Sequence, residues 1–237
     1  MPSPSPAIQP YVLSPNIADL VIDWSLRHAV RYRYEGHRRT KVAICGSGGV
    51  TMMPWDDPEW ECWAINNFWN RARDSQGRLA ASRWWEQHQI FPDTDGPHAG
   101  DIIQNNQDMQ WIRECPVPIY TTEPFPDNPR AVVWPVNYFA RKYRDYFTCT
   151  FAYQIAQALE EGFKELMVCG LELLNGTKRE ATVESSCVNY WLGLAEGRGV
   201  NVIIPPRRFI HDGDACFAED QFLLNHPYRY GHQYWAE

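Results

Sequence analysis

Short apolar runs alternate along this chain with longer segments of helical periodicity, and most of the runs end at glycine or at small polar residues. Residues 41–45 lead into Gly46, and residues 166–169 lead into Gly170. Strands of a parallel sheet are continuously apolar because helices cover both of their faces. The alternation therefore predicts an α/β fold, a Rossmann-like and mostly parallel sheet with helices on both faces.

The runs and the periodic segments define the expected elements. Strands are predicted at residues 41–45, 63–65, 83–85, 115–120, 166–169 and 200–204. Helices are predicted at residues 17–34, 148–161 and 183–197, and Gly162 is the expected end of the second helix. The prolines at 116 and 118 suit an edge strand or a strand end.

Composition divides the chain into three segments. Residues 1–40 are predicted to be an N-terminal arm, rich in Pro and Ser at its start, followed by a basic helix. Residues 41–206 are predicted to form a Rossmann-like catalytic domain. Residues 207–237 are expected to be an irregular, aromatic C-terminal segment.

Composition also removes several classes of protein. A chain of 237 residues with 44% hydrophobic and 14% aromatic residues can bury a core, so a mainly disordered protein is excluded. No run approaches the roughly 18 apolar residues that cross a bilayer, and the N-terminus resembles no secretory signal. The seven cysteines are scattered without a C-x-x-C pair. We therefore expect a reduced, cytoplasmic protein without a membrane partner.

Positive charge is concentrated in one segment of a chain whose formal net charge is −7. The segment carries six basic residues against the single acid Glu35, and they are Arg27, Arg31, Arg33, Arg38, Arg39 and Lys41. Such a cluster can neutralise the phosphates of DNA. It is more often a solvated helix face followed by a basic turn, and the acidity of the whole chain opposes unspecific duplex binding.

The glycine turn after residue 45 begins like a dinucleotide-binding fingerprint. Gly46 and Gly48 match its first two glycines, but Thr51 occupies the third position, and Asn66 stands where an acid would hold a ribose. An NAD site is therefore disfavoured. Two readings remain: the backbone N–H groups of the turn approach a phosphate, or the turn only connects a strand to a loop.

Three further residues are candidates for acid–base chemistry. His88 follows a predicted strand and neighbours Glu86, so it is either a general base or a hydrogen-bonded structural residue. Glu180 and Glu184 are one helical turn apart, and they are either an acid–base pair or solvated acids near a helix start. We predict no metal cofactor.

Four motifs in a fixed order carry a family resemblance. They are residues 41–49, residues 63–68, the helix start at 148–150 and the segment 162–172. Across residues 41–205 the chain resembles the bacterial sialyltransferases of glycosyltransferase family 42. It is also similar to uncharacterised tailed-phage proteins through residues 56–60 (Asp-Asp-Pro-Glu-Trp) and 84–88 (Trp-Trp-Glu-Gln-His).

The resemblance implies a donor site residue by residue. It implies contacts with the donor nucleotide for Gly46, Ser47, Gly48, Asn66 or Asn67, and Thr150, which stands where a phosphate-binding Ser is expected. Glu172 takes the place of an Asp after the strand, and Leu174 replaces an expected Tyr. The catalytic His expected before the next helix is absent from residues 177–184, so the base must be His88, Glu180 or Glu184.

The resemblance implies a nucleotide-sugar-dependent glycosyltransferase, phage-encoded and acting in the host cytoplasm. Hydroxylated bases in DNA are a candidate acceptor, held through the basic segment. Two other functions stay open at this stage. One is a nucleotide phosphotransferase or hydrolase, and the other is a non-catalytic phage protein that sequesters a nucleotide.

Overall fold

A computed structural model describes residues 39–66, 68–88, 106–170 and 178–205. The strands in these ranges are β1 (Lys41–Cys45), β2 (Trp60–Ile65), β3 (Arg83–Glu86), β4 (Ile119–Thr121), β5 (Ala131–Val133), β6 (Glu165–Cys169) and β7 (Asn201–Ile203). The α-helices are α1 (Asn106–Glu114), α2 (Val136–Lys142), α3 (Thr150–Glu161) and α4 (Lys178–Gly197), and a 3-10 helix covers Ser47–Met52. The predicted helix at 17–34 and the predicted C-terminal segment lie outside the described residues.

The seven strands form one sheet in the order β5-β4-β3-β2-β1-β6-β7, and every neighbouring pair is parallel. The order reverses at β1, which has β2 on one side and β6 on the other. In open parallel sheets, ligands bind outside the carboxyl ends of the strands at such a reversal. The predicted Rossmann-like α/β class is confirmed.

Helices cover both faces of the sheet. Trp84 packs edge-on against Trp111 of α1, with ring centroids 5.0 Å apart. Its neighbour Arg83 points to the opposite face, because successive strand residues alternate, and there it pairs with Glu161 of α3. Helix α4 packs beside α3. None of the helices in the described ranges is long and apolar enough to cross a membrane.

Aromatic side chains dominate the core. Four tryptophans are among the largest fully buried side chains, and they are Trp63, Trp84, Trp85 and Trp191. The Trp85 ring lies between Trp63 and Tyr120, with centroid distances of 4.8 and 4.4 Å. Large rings remove much apolar surface from water, so they stabilise the sheet across several strands.

The structure decides between the two readings of the prolines. Strand β4 lies between β3 and β5, so an edge position for it is wrong and β5 is at the edge. Pro118 stands just before β4, and its carbonyl accepts the N–H of Trp84 at 2.8 Å. Proline has no backbone N–H and can only accept a hydrogen bond through its carbonyl, so it fits the first position of an interior strand.

The elements that sequence reasoning missed are short. Strand β5 has three residues and α2 has seven, so neither is long enough to show a period. Helix α1 is mostly polar, with only Met109, Trp111 and Ile112 as apolar residues. Gly162 does end α3 in the left-handed conformation, at φ 75°, as predicted.

A buried arginine ties β2, β3 and α3 together on the α3 face. The Arg83 side chain is 1% exposed, and its Nε lies 2.8 Å from Glu61 Oε1. Its Nη2 donates to Glu161 Oε2 at 2.9 Å, and its Nη1 also pairs with Glu161. Trp63 Nε1 donates to Glu61 and Gln157 Nε2 donates to Glu161, at 2.8 and 2.7 Å. The two carboxylates raise the pKa of Arg83 although burial opposes them.

We expect Arg83→Leu to lower the free energy of unfolding by about 3–5 kcal/mol, because two carboxylates would be left buried without their cation. Arg78→Leu is the matched control, since the Arg78 side chain is 69% exposed and pairs with Asp74 at the surface. Its effect should stay below about 1 kcal/mol. Urea unfolding followed by tryptophan fluorescence measures both. Equal losses in the two variants would contradict the role given to Arg83.

Candidate functional site at the carboxyl edge

The glycine turn, residues 46–49, packs directly on the end of β6. The N–H of Gly46 donates to the carbonyl of Cys169 at 2.8 Å. A Cβ on Gly49 would lie 2.3 Å from the backbone of Cys169 and Gly170. Gly170 itself has φ +73°, a conformation that side chains disfavour. Close backbone approach therefore explains why Gly46, Gly49 and Gly170 are glycines, whether or not the turn also borders a ligand.

The turn continues as a 3-10 helix rather than an α-helix. Ser47 and Gly48 occupy its first positions, at the carboxyl end of β1 where the strand order reverses. Gly48 is partly exposed, whereas Gly46 and Gly49 are buried. The side chain of Ser47 lies outside what the structure describes. Contact between these residues and a donor nucleotide stays a prediction.

Asn66 ends β2 in a strained but well-anchored conformation. Its φ is 52°, which makes it the one non-glycine residue with positive φ in the described ranges. Its N–H donates to the carbonyl of Trp85 and its carbonyl accepts Trp84 Nε1, both at 2.9 Å. Its buried Oδ1 has no hydrogen-bond partner among the described residues. Asn tolerates the left-handed region, so β3 fixes an amide oxygen at this edge.

Two glutamines place further amide oxygens at the same edge. Gln87 follows β3, and its Nε2 donates to the carbonyl of Tyr120 at 3.0 Å. Gln154 lies on the sheet side of α3, and its Nε2 reaches the carbonyl of Ala64 near the end of β2 at 3.5 Å. The Oε1 of each is buried without a partner among the described residues.

We call Asn66, Gln87 and Gln154 the amide cluster. A buried acceptor without a donor costs about 1–3 kcal/mol, so the three oxygens of this cluster are unsatisfied polar atoms at this edge. Of these three residues, only Asn66 is predicted from the sequence. Gln154 is one of three polar residues, with Gln157 and Glu161, among the buried residues of α3.

His88 and Glu86 form a hydrogen-bonded pair at the end of β3. His88 Nδ1 lies 2.5 Å from Glu86 Oε1, which also accepts the backbone N–H of His88 at 3.2 Å. The Glu86 side chain is 5% exposed and that of His88 is 39% exposed. A buried carboxylate on Nδ1 fixes the orientation of the imidazole. Of the three predicted bases, His88 thus has a partner suited to proton transfer.

Helix α3 brings its positive end to this edge. The ring of Phe151 lies against Gly46 at the end of β1, while Glu161 at the other end of α3 meets Arg83 at the start of β3. Helix α3 therefore runs opposite to the strands, and Thr150 begins it at the carboxyl edge. The end of a helix that carries the positive dipole favours anions such as phosphate.

Glu184 lies near the start of α3. It is partly buried on α4, and its charge acts on Cys149 at the start of α3. The side chain of Glu180 lies outside the described residues, as do Asn67 and Glu172. The pairing of Glu180 with Glu184 stays a prediction.

In the described part of the basic segment, Lys41 pairs with acids and Arg39 lies near one. Lys41 Nζ lies 2.8 Å from Glu59 and 3.5 Å from Glu165, at the edge opposite the candidate site. Arg39 is partly buried near Glu61, and burial lowers its pKa. The other four basic residues, Arg27, Arg31, Arg33 and Arg38, lie outside the described ranges.

The described residues define a Rossmann-like α/β protein with polar side chains at the carboxyl edge of an all-parallel sheet. Within those residues, no group of three or more His, Cys, Asp or Glu side chains could hold a metal ion. Comparison with protein-family models, curated proteins and solved structures finds no match for this chain.

We expect Gly49→Ala to lower the free energy of unfolding by about 1–3 kcal/mol or more, because the new Cβ would overlap the backbone of β6. Gly193→Ala is the matched control. Gly193 lies inside α4, and a Cβ there meets nothing within 4 Å. That variant should be stabilised by about 0.5–1 kcal/mol through helix propensity. Thermal and urea unfolding of both proteins test this, and a neutral Gly49→Ala would contradict the close contact.

Proposed function

We propose that the protein is a glycosyltransferase that uses a nucleotide sugar as its donor. The observation that carries the proposal is the Glu86–His88 pair at the end of β3, beside buried amide oxygens at the end of β2. A held imidazole is a general base, and unpaired acceptors suit a ligand rich in hydroxyl groups. Both belong to the edge at which sheets of this type bind ligands.

The proposed reaction uses these groups to move one proton and to exchange one bond at the donor sugar. His88 takes the proton of the acceptor hydroxyl, and the acceptor oxygen forms a bond to the anomeric carbon of the donor sugar. The bond from that carbon to the phosphate oxygen breaks, and the nucleotide leaves with the electron pair. Glu86 stabilises the imidazolium that forms, and the first turn of α3 stabilises the negative charge of the leaving phosphates.

The amide cluster supports donor binding in this scheme. Carboxamides present a neutral acceptor and a neutral donor, which match sugar hydroxyls and the edges of nucleotide bases. Because carboxamides are uncharged, they bind such groups without an added charge that would act on the phosphates of the donor. The other open functions would use the same edge of the sheet. A nucleotide phosphotransferase or hydrolase would form other products, and a sequestering protein would form none.

The acceptor is proposed more narrowly as hydroxylated bases in DNA of a phage-infected host. This proposal depends on Arg27, Arg31, Arg33 and Arg38, because Arg39 and Lys41 lie near acids or pair with them. Phosphate contacts from these arginines would make DNA binding depend on salt.

A thermal-shift screen against nucleotides and nucleotide sugars tests donor binding. At a hundredfold excess over its dissociation constant, a ligand stabilises the fold by about 2.7 kcal/mol. We expect a shift with one nucleotide sugar, and a loss of most of that shift in Asn66→Asp, which keeps the backbone preference but adds a negative charge. Asn201→Asp, the same change at an exposed position at the start of β7, should bind normally. A shift with free nucleotides alone, or none at all, would contradict the proposal.

Substitution of the candidate bases separates their roles. With the donor found above, His88→Gln should lower kcat by about 10²- to 10⁴-fold and leave donor binding nearly unchanged, because it removes only proton transfer. Glu184→Gln should leave kcat within a few fold. Two results would overturn the assignment of His88. One is that product analysis finds no sugar transfer by either variant, and the other is a larger loss of kcat in Glu184→Gln than in His88→Gln.

A further inference from the structure

The chain that leaves the carboxyl end of β2 carries an arginine on a segment held by the core. We call residues 68–72 the exit segment. Its first and last residues, Phe68 and Ala72, are 1% and 0% exposed. Between them Trp69 stacks on Trp111 of α1, with ring centroids 5.8 Å apart and an angle of 15° between the rings. The backbone of Arg71 is therefore held in place from both sides, although Arg71 itself is exposed.

An aromatic ring orients the guanidinium group of Arg71. Its Cζ lies 5.9 Å from the centre of the Phe68 ring, which is within the range of a cation–π contact. The N–H of Arg71 also donates to the carbonyl of Phe68 at 2.8 Å, so the two residues belong to one tight turn. A positively charged group that is oriented in advance loses less freedom when it binds a ligand.

Arg71 forms no ion pair within the described residues. Arg78, which follows it on the same loop, pairs with Asp74 at 2.7 Å, so its charge is already balanced. An arginine without an acidic partner presents a planar set of N–H donors, and this set matches the oxygens of a phosphate group. Three other described cations also pair with acids, namely Lys41 with Glu59, Arg113 with Asp127 and Lys142 with Glu160.

Arg71 lies at the carboxyl edge, where the strand order reverses. The charge of Arg71 acts on Cys45, the last residue of β1. Cys45 pairs in register with Ala64 near the end of β2, and the glycine turn begins at the next residue, Gly46. The exit segment and the glycine turn therefore leave neighbouring strands at the edge where sheets of this type bind ligands.

We propose that Arg71 binds a phosphate group of the donor beside the glycine turn. The inference rests on the proposed function, because that function supplies the nucleotide to which the phosphate belongs. It adds a binding residue that the motifs of the sequence do not indicate. The guanidinium would donate two N–H groups to two phosphate oxygens, and it would balance part of the charge of the donor.

Calorimetric titration with inorganic pyrophosphate tests the phosphate site without a sugar or a base. We expect Arg71→Gln to raise the Kd for pyrophosphate about tenfold or more, because hydrogen bonds to a charged group are lost. Arg78→Gln is the matched control, since it removes a cation that already has a partner, and its Kd should equal that of the wild-type protein. Added salt should weaken binding by the wild-type protein more than binding by Arg71→Gln.

Two further measurements separate binding from folding. Urea unfolding of Arg71→Gln should match that of the wild-type protein, because the side chain is exposed. Arg71→Lys keeps the charge and loses the planar set of donors, so its Kd should lie between those of the wild-type protein and Arg71→Gln.

Three results would overturn the inference. The first is equal binding of pyrophosphate by the wild-type protein and Arg71→Gln, and the second is no binding by the wild-type protein. The third is a loss in Arg71→Gln that affects only a duplex DNA oligonucleotide, because Arg71 would then contact the acceptor.

Failure of this inference can be told apart from failure of the proposed function. Pyrophosphate binding that depends on Arg71, without a response to any nucleotide sugar, would reject the glycosyltransferase and keep the phosphate site. Sugar transfer by Arg71→Gln with an unchanged KM for the donor would keep the glycosyltransferase and reject the role of Arg71.

Discussion

Helix α3 is fastened at both of its ends, and the candidate site depends on that placement. At its carboxyl end Glu161 pairs with the buried Arg83, and at its amino end Phe151 packs on Gly46. Removing the ion pair from water is costly. Once it has formed, helix α3 has few alternative positions, because moving the helix would leave an unpaired charge in apolar surroundings. Gln154 is thereby held at the end of β2, and the positive end of the helix dipole meets the glycine turn.

Much of the fold could be predicted from the chain, and the reasons are local. The central strands β1 and β6 are apolar runs ended by Gly46 and Gly170, and both strands were predicted to within a residue. The edge strand β5 was missed since three residues carry no period. The reason for the glycines also lay beyond sequence reasoning, because the contact between Gly49 and Gly170 joins distant parts of the chain.

The candidate site was predictable only in part. His88 and Asn66 were identified from their positions after strands, and both lie at the carboxyl edge. Gln87 and Gln154 were not identified, because an unpaired amide oxygen is a property of packing and not of residue type.

The position of β1 has a consequence for synthesis of the chain. Lys41 pairs in register with Trp60 on one side and with Glu165 on the other. The first partner strand follows within a short stretch of chain, but the second is made only after β2 to β5 and α3. On the ribosome one edge of β1 therefore has no partner until residues 165–169 have been made. An apolar strand with an open edge is a template for wrong pairing, so synthesis of β6 is the event that covers the second edge of β1.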